Sequence, residues 1–492
     1  MPDFREIPGS YAVPGSYMEV HDLPAADRVS DMPLRVIIVG QTNQQFENNI
    51  LHENVTVPQV ENIYGRSAIM TQAVRAFMAE NPNLPVDTIG ILTPGDARAA
   101  TATIKFTGSS WRNMTSGVYI GGIRVSWTVS SGDTPSTVAT NLLTAINASL
   151  IGENLGITAQ IGNGGDNIVL TAGEAGQLTN DFNVRFSSAT VDQIPGMGVL
   201  VNSMAGGTGT PDMSPAILSL GDRWYTDVVL LQNDPAAVTL FAQEAKRRSG
   251  AMVARDMRVH VGMIGTQGQA LNLQGSVSTS ENVILFPWWF PKASSWQMVS
   301  ALAAQVAQSL NTDPARQLRG LPLNTLAGLG PEKQDDFSDQ QKNVLLNNGC
   351  STAVVNDDGT VTLQRVVTTR TINPASGTLS GVWDVMIPAI AARVRYEWNT
   401  YIEATYFRSK LADDGSPLAN ADGVVTPKTL KGSWAGQCKL YEALGWIDDV
   451  AITAPQAVFQ RDLSDRNRVN STLPIKPMGS LMVLANILNM EV

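Results

Sequence analysis

The chain has 492 residues, beyond the ~250–300 at which a single hydrophobic core stops growing, and its 43% apolar and 16% charged side chains exclude a disordered chain in favour of several globular domains. A net charge of −10 argues against a nucleic-acid reader, whose affinity rests on a basic face, and two isolated cysteines argue against a disulfide framework. No apolar run approaches the ~18 residues of a membrane span and no signal region opens the chain, so a soluble product made in a cytoplasm is expected.

Residues 1–32 carry Pro8, Pro14 and Pro24, with Ile7, Tyr11, Val13 and Tyr17 scattered among them. Proline keeps such a stretch extended and out of helices, and its apolar side chains suit an arm that docks on a partner. The run LRVIIVG at 34–40 has the continuous apolarity of a strand buried on both faces. Ile69, Met70, Ala73, Val74, Phe77 and Met78 follow at helical spacing up to Asn81-Pro82, and 86–92 is the next strand, which completes a β-α-β unit.

The composition then turns to Thr, Ser, Gly and Asn. Val118-Tyr119-Ile120 and Ile123-Arg124-Val125 flank Gly121-Gly122, a hairpin signal. Thr134-Pro135 opens a helix that presents Val138, Leu142, Ala145 and Ile146, and Asn163-Gly164-Gly165-Asp166 leads into a strand at 168–170. These features predict a small β-rich α+β domain over 96–203, inserted into a discontinuous α/β core of 33–95 and 204–375 and able to fold independently of it.

The α/β pattern resumes with strands at 227–231, 259–264 and 283–286, an Asp234-Pro235-capped helix to about Arg248, and an alanine-rich helix at 295–310. An α+β domain over 376–480 is predicted from a helix at 381–411, kinked at Pro388, and another at 431–444. Residues 481–492 form a last element. Its segment 481–490 reads as a strand after Pro474, Pro477 and Gly479, with Leu481, Val483 and Ile487 on one face and Met482, Leu484 and Leu488 on the other. Such a strand is covered on both sides, by its own core or by a neighbour.

Chemistry is sparse. His21, His52 and His260 have no metal-ligand spacing, and Cys350 and Cys438 have no adjacent activating base, so no metal or cofactor is expected. The loop Gly206-Gly207-Thr208-Gly209-Thr210-Pro211-Asp212 lacks the Lys-Ser/Thr ending of a nucleotide loop and reads as a connector. Lys246-Arg247-Arg248 complements a helix C-terminus. Asp335-Asp336, Asp357-Asp358 and Asp413-Asp414 occupy turns, and Trp288-Trp289 lies between prolines as a buried anchor. No enzyme is expected from these residues.

Several segments, in order, resemble the contractile phage tail sheath family, in particular its Mu-like branch. They are Ile7-Pro8 with Val13-Pro14-Gly15-Ser16-Tyr17-Met18-Glu19, Arg35-Val36-Ile37-Ile38-Val39-Gly40-Gln41, and the insertion's Val118 to Trp127, Gly132-Asp133-Thr134, Ile146-Asn147-Ala148 and Leu170-Thr171-Ala172. The 206–212 loop, Tyr401-Ile402-Glu403-Ala404-Thr405-Tyr406-Phe407 and Gly423-Val424-Val425-Thr426-Pro427-Lys428 continue the series, whereas 290–377 matches least. The resemblance implies a structural subunit of the virion tail, assembled in the host cytoplasm. Six copies would form rings, stacked helically around an inner tube, which contract to drive the tube through the host envelope. Besides itself and the tube protein, baseplate and tail terminator proteins are implied partners, with no nucleic acid and no membrane insertion. The inter-subunit arms would be Ile7, Tyr11, Val13 and Tyr17 at one end and Leu481, Met482, Val483, Leu484, Ile487 and Leu488 at the other. A coat or baseplate subunit, or an α/β hydrolase, is the alternative.

Overall fold

The computed structural model describes residues 32–373, 375–378, 380, 383–488 and 490, and it forms two compact units, one of residues 33–396, 445–448 and 476–492 and one including 397–444 and 449–475. The larger unit is built on a six-stranded sheet. Its strands are β1 (Val36–Thr42), β2 (Leu51–His52), β3 (Val86–Leu92), β11 (Asp227–Leu230), β12 (Arg258–Ile264) and β13 (Val283–Trp288), in the order β13-β12-β11-β1-β3-β2. All neighbours are parallel except the short β2.

The continuous apolarity of β1 has the consequence expected for a doubly covered strand. Val36 and Ile38 pack on one side with α2 (Ile69–Glu80) and α8 (Ser295–Thr312), while Ile37 and Val39 pack on the other with α5 (Ser214–Leu220) and α6 (Pro235–Arg248). The helices α1 (Val57–Tyr64) and α7 (Gln267–Gly275) complete the crossovers.

Between β3 and α5 the chain makes two antiparallel sheets. One, in the order β10-β4-β8-β7, contains β4 (Thr101–Gly108), β7 (Thr158–Ile161), β8 (Asn167–Thr171) and β10 (Met197–Ala205). The other, β6-β5-β9, contains β5 (Met114–Ile120), β6 (Ile123–Val129) and β9 (Val184–Phe186). Gly121 and Gly122, at φ 53° and 83°, supply the left-handed pair that a two-residue hairpin turn requires. Helix α3 (Pro135–Ala148) begins at Thr134, whose side chain accepts from Thr137 N, and buries Val138, Leu142 and Ile146; α4 (Ile151–Leu155) follows.

The insertion packs directly against the core. Its Ile104, Phe106, Val118, Trp127 and Leu142 belong to one continuous apolar core with Val36, Ile38, Phe77 and Val299, and Phe182 meets Trp296 edge-on at 4.8 Å. The short strands carried enough inward apolar residues to join the α2/α8 face rather than close on themselves.

The poorly matched stretch after β13 also has a core. Here α9 (Asp339–Asn347) leads into a hairpin of β14 (Thr352–Val355) and β15 (Val361–Arg365), which packs Ala353, Val361 and Leu363 with Phe286, Trp288 and Leu302. Glu80 at the end of α2 fastens the loop before it, accepting from Gln305 Nε2 (2.7 Å), Asn324 N (3.1 Å) and Thr325 N (2.8 Å).

Helix α10 (Met386–Tyr406) starts later than expected, and Pro388 lies in its first turn, where a missing N–H is tolerated, so Pro388 starts the helix instead of kinking it. In the smaller unit, β16 (Lys410–Leu411) pairs with β17 (Val424–Val425). Helix α11 (Pro427–Ala443) begins four residues earlier than expected because Thr426 caps Thr429 N and Pro427 takes the first helical position. Trp398 packs against Trp434 at 5.0 Å and Phe459 at 6.3 Å. Past β18 (Ile447–Asp448) and α12 (Val450–Thr453), the strands β19 (Val458–Arg461) and β20 (Val469–Thr472) form a two-stranded antiparallel sheet. In the larger unit β18 pairs with β21 (Lys476–Pro477).

Candidate functional site

In the six-stranded sheet the strand sequence runs outward in opposite directions from β1 and β11, a topological switch point of the kind where open α/β sheets hold ligands at the carboxyl ends of the strands. Here that position is filled by the insertion's own backbone. Gln41, in the carboxyl-terminal half of β1, donates from Nε2 to Ala175 O at 3.0 Å and to Glu174 Oε2 at 3.3 Å, and accepts from Gln232 Nε2 just past β11. Asn233 Nδ2 donates to Asp181 Oδ2 at 2.8 Å. The turn passes so close that a Cβ on Gly176 would stand 2.8 Å from Gln41 Oε1, and the φ of 126° there also favours glycine.

Glu174 does more than plug the crevice. The residue preceding α2 is Ala68, which has no side chain to cap the helix, and Glu174 Oε1 accepts from Ile69 N at 3.0 Å from 105 positions away. Burial pushes the Glu174 carboxyl up to about 7, against the opposing pull of the Ile69 and Gln41 hydrogen bonds. Asp181 is pushed up to about 6 by the same cause, offset by the neighbouring Ser295 and Asn233 side chains. Sequence reasoning missed both residues, and its one available signal was a helix with no local cap.

The glycine loop at 206–212 is also spoken for. Gly207 N donates to Asn180 Oδ1, and Thr208 exchanges backbone hydrogen bonds with Arg98. These N–H groups tie the two connections of the insertion together and are not directed at a phosphate.

The titratable candidates are structural. Asp227 Oδ1 receives His260 Nε2 at 2.8 Å, and Arg258 reaches the same carboxylate at 2.7 and 2.8 Å, which holds it far below the usual carboxylate range despite its burial. This base-and-orienter geometry is fully enclosed, with His260 and Asp227 both at 0% exposure, so no substrate reaches it. His52 pairs with Glu47, and His21 lies outside the described residues. Cys350 and Cys438 are buried, and burial pushes both thiols up to about 12.

The acid pairs serve turns and ion pairs. Asp335 binds Arg185, and Asp336 accepts from Lys342 Nζ (2.6 Å), Trp288 Nε1 (3.2 Å) and Phe337 N (2.9 Å). Asp358 accepts from Thr360 N, and Asp414 from Lys428 N. Trp288 is buried as expected, but Trp289 is 39% exposed. The basic run differs in its partners: Arg248 is buried and donates to Gly221 O and Arg223 O on another connection, and Arg247 pairs with Glu244. Among the described residues no group of three or more His, Cys, Asp or Glu is placed to hold a metal, and no helix is long and apolar enough to cross a membrane.

The remaining candidates are the arms. Ile7, Tyr11, Val13 and Tyr17 lie outside the described residues. Residues 481–488 form no strand within this chain, so a strand that completes the subunit's own core is not seen there. Leu481, Val483, Leu484, Ile487 and Leu488 are 70–91% exposed, and Met482 is partly covered, with its carbonyl accepting from Arg319 Nη1 at 3.2 Å. The strand had been expected because both faces are apolar, and both faces are uncovered in the single subunit.

No protein-family model matches the chain. Its sequence is 25% identical over 471 residues, 95% of both chains, to the Mu-like prophage FluMu tail sheath protein of Haemophilus influenzae. Solved structures similar to it include the sheath tail protein of Desulfitobacterium hafniense (13% identity, 95% and 97% of the chains covered, TM-score 0.48). Two others are a sheath tail protein of Listeria innocua (12%, 93% and 95%, 0.48) and the helical sheath of the anti-feeding prophage in its contracted state (10%, 98% and 99%, 0.48). Along nearly the whole of both sequences, one residue in four of this chain is shared with that Mu-like prophage tail sheath protein.

Proposed function

We propose that the chain is the repeating subunit of a contractile tail sheath, forming six-membered rings that stack helically around an inner tube and contract without nucleotide to drive the tube through the host envelope. The observation that carries this reading is the uncovered apolar segment at 481–488. Free apolar surface of this kind needs a partner. The sheet of β19 and β20 has two strands, so each has an edge that β19–β20 pairing leaves unused, and a neighbour's arm can add a strand there by main-chain hydrogen bonds. Head-to-tail linkage of identical subunits that does not close on itself builds a helical polymer.

In this reading 1–32 and 481–492 are the linking arms, and 33–95 with 204–375 is the core. Residues 96–203 protrude outward, and 376–480 lie nearest the tube. Tube, baseplate and terminator proteins are the partners in the virion tail, and assembly takes place in the host cytoplasm. The subunit works mechanically and not as an enzyme, a reading supported by the switch-point crevice occupied by residues 174–181. Negative-stain electron microscopy of the purified protein tests the proposal. Regular hollow cylinders are expected, and a protein that stays monomeric or forms closed shells at high concentration refutes it.

A further inference from the structure

Asparagine is followed by glycine twice in the chain, at Asn163-Gly164 and Asn348-Gly349, and the fold treats the two pairs in opposite ways. Asn163 and Gly164 are both exposed in the turn between β7 and β8, which is closed by Gly162 N donating to Asn167 O at 2.9 Å and Gly165 N donating to Gly162 O at 3.1 Å. Among the described residues neither the Asn163 side chain nor the Gly164 N–H takes part in a hydrogen bond. Gly164 has no Cβ to hinder the rotation that brings a main-chain nitrogen onto the preceding side-chain amide. The second pair is held. Asn348 follows the last turn of α9, where its Nδ2 donates to Val344 O at 2.8 Å, and Gly349 N donates to Leu346 O at 3.0 Å. Gly349 is buried at a φ of 73°, so close to the next segment that a Cβ there would stand 2.7 Å from Thr368 O.

We propose that Asn163 is a site of spontaneous covalent modification, deamidating through a cyclic imide with solvent water as the co-reactant, while Asn348 is protected by the fold. In the first step the main-chain nitrogen of Gly164 bonds to Asn163 Cγ, the Cγ–Nδ2 bond breaks, and Nδ2 leaves as ammonia with the proton of the former N–H. Water then opens the imide, and its proton returns to the Gly164 nitrogen. Addition at Cγ breaks the new bond and leaves an aspartate. Addition at the Asn163 main-chain carbonyl carbon breaks the original peptide bond and leaves an isoaspartate, whose main chain runs through Cγ. Nothing is oxidised or reduced, and the net change is an amide and water to a carboxylate and ammonium.

The turn already holds Asp166, paired with Lys105 Nζ at 3.4 Å, so the product adds a second negative charge at this end of the insertion. The isoaspartyl form also lengthens the main chain between the two hydrogen bonds that close the turn. At Asn348 the same cyclisation has to break the bonds to Val344 O and Leu346 O and lift Gly349 out of its packing, so it waits on a local opening of the α9 end. The inference does not depend on the sheath reading, since it belongs to the single subunit.

Peptide mass spectrometry of the full chain, held at pH 8 for days and digested at mildly acidic pH, tests this. The peptide containing Asn163 should convert from amide to acid at least about tenfold faster than the one containing Asn348. Aspartyl and isoaspartyl products should both be present, and anion exchange should resolve a more acidic species that the Asn163→Ser chain does not form. In guanidinium chloride, where both pairs lie in unfolded chain, the two rates should become comparable. Persistence of Asn163 in the native chain overturns the proposal, and so does conversion of Asn348 at the rate of Asn163 in the native protein.

Discussion

Ending the chain at Gly479 separates two uses of its last residues, because they differ by an order of magnitude in cost to the monomer. If 481–490 were a strand in the subunit's own core, removal would strip away Leu481, Val483, Leu484, Ile487, Leu488 and Met490 at ~1.5–3 kcal/mol each, roughly 10 kcal/mol, comparable with the whole stability of a domain. In the structure these six side chains are 70–91% exposed, so almost none of that burial exists to lose. What is lost is the partial cover of Met482 and the hydrogen bond of its carbonyl to Arg319, together about 1–2 kcal/mol. The truncated protein should keep its circular dichroism spectrum and denature in urea at nearly the wild-type midpoint, and electron microscopy should find no cylinders. A drop of several kcal/mol would show that the segment completes the fold. Cylinders of normal length would show that it does not link subunits.

Other perturbations probe the interior. Trp296→Ala removes a fully buried ring that meets Phe182 edge-on and donates to Gln72 Oε1, and should cost ~3–5 kcal/mol, with exchange protection falling in both the insertion and α2. Glu80→Ala leaves Asn324 N and Thr325 N without their acceptor and should cost about 2–4 kcal/mol, seen as proteolytic nicking near 320–330 at temperatures the wild type withstands. Asp227 is held below the usual carboxylate range, so its contribution is complete above about pH 4 and disappears as the solution becomes more acid. Asp227→Asn should cost ~3–5 kcal/mol at pH 7 and flatten the acid limb of the stability profile. Cys350 and Cys438 should react with a thiol reagent at pH 8 only at the rate of unfolding, and stoichiometric labelling within minutes of native protein would contradict their burial.

Five of the six core strands could be read from the sequence as short, largely apolar runs, and Asp234-Pro235 marked the start of α6, whereas the two-residue β2 and the helices α1, α5 and α7 were not read. The insertion's elements were legible for the same reason, through Gly121-Gly122 and Thr134-Pro135. Its attachment was not. Polar alternation in β4 and β6 shows that one face is buried, but not that the burying surface is α2 and α8 rather than a partner sheet within the insertion. Glu174 was invisible for a related reason: a carboxylate that caps a helix 105 residues away leaves no local pattern. Pro388 was misread because a proline near a helix end and one in its middle differ only in where the helix begins.

The exposed apolar side chains of the described residues are unevenly distributed. Large apolar residues are exposed at scattered positions such as Trp111, Leu218 and Met252, as on any soluble protein. Residues 481–490 are different, since six such side chains fall within ten positions. An exposed apolar stretch of this density invites aggregation unless a partner covers it. Meanwhile the place where an α/β sheet ordinarily exposes polar groups to a ligand is sealed by Gln41, Gln232 and the Glu174–Asp181 turn. The fold thus closes its interior site with its own backbone and leaves its densest run of exposed apolar side chains at 481–490. Under the proposed sheath function this segment is taken up by another copy of the chain, which predicts that a synthetic peptide of residues 478–492 would compete with polymerisation in a concentration-dependent way, whereas a version with Leu484 and Ile487 replaced by Asp would not.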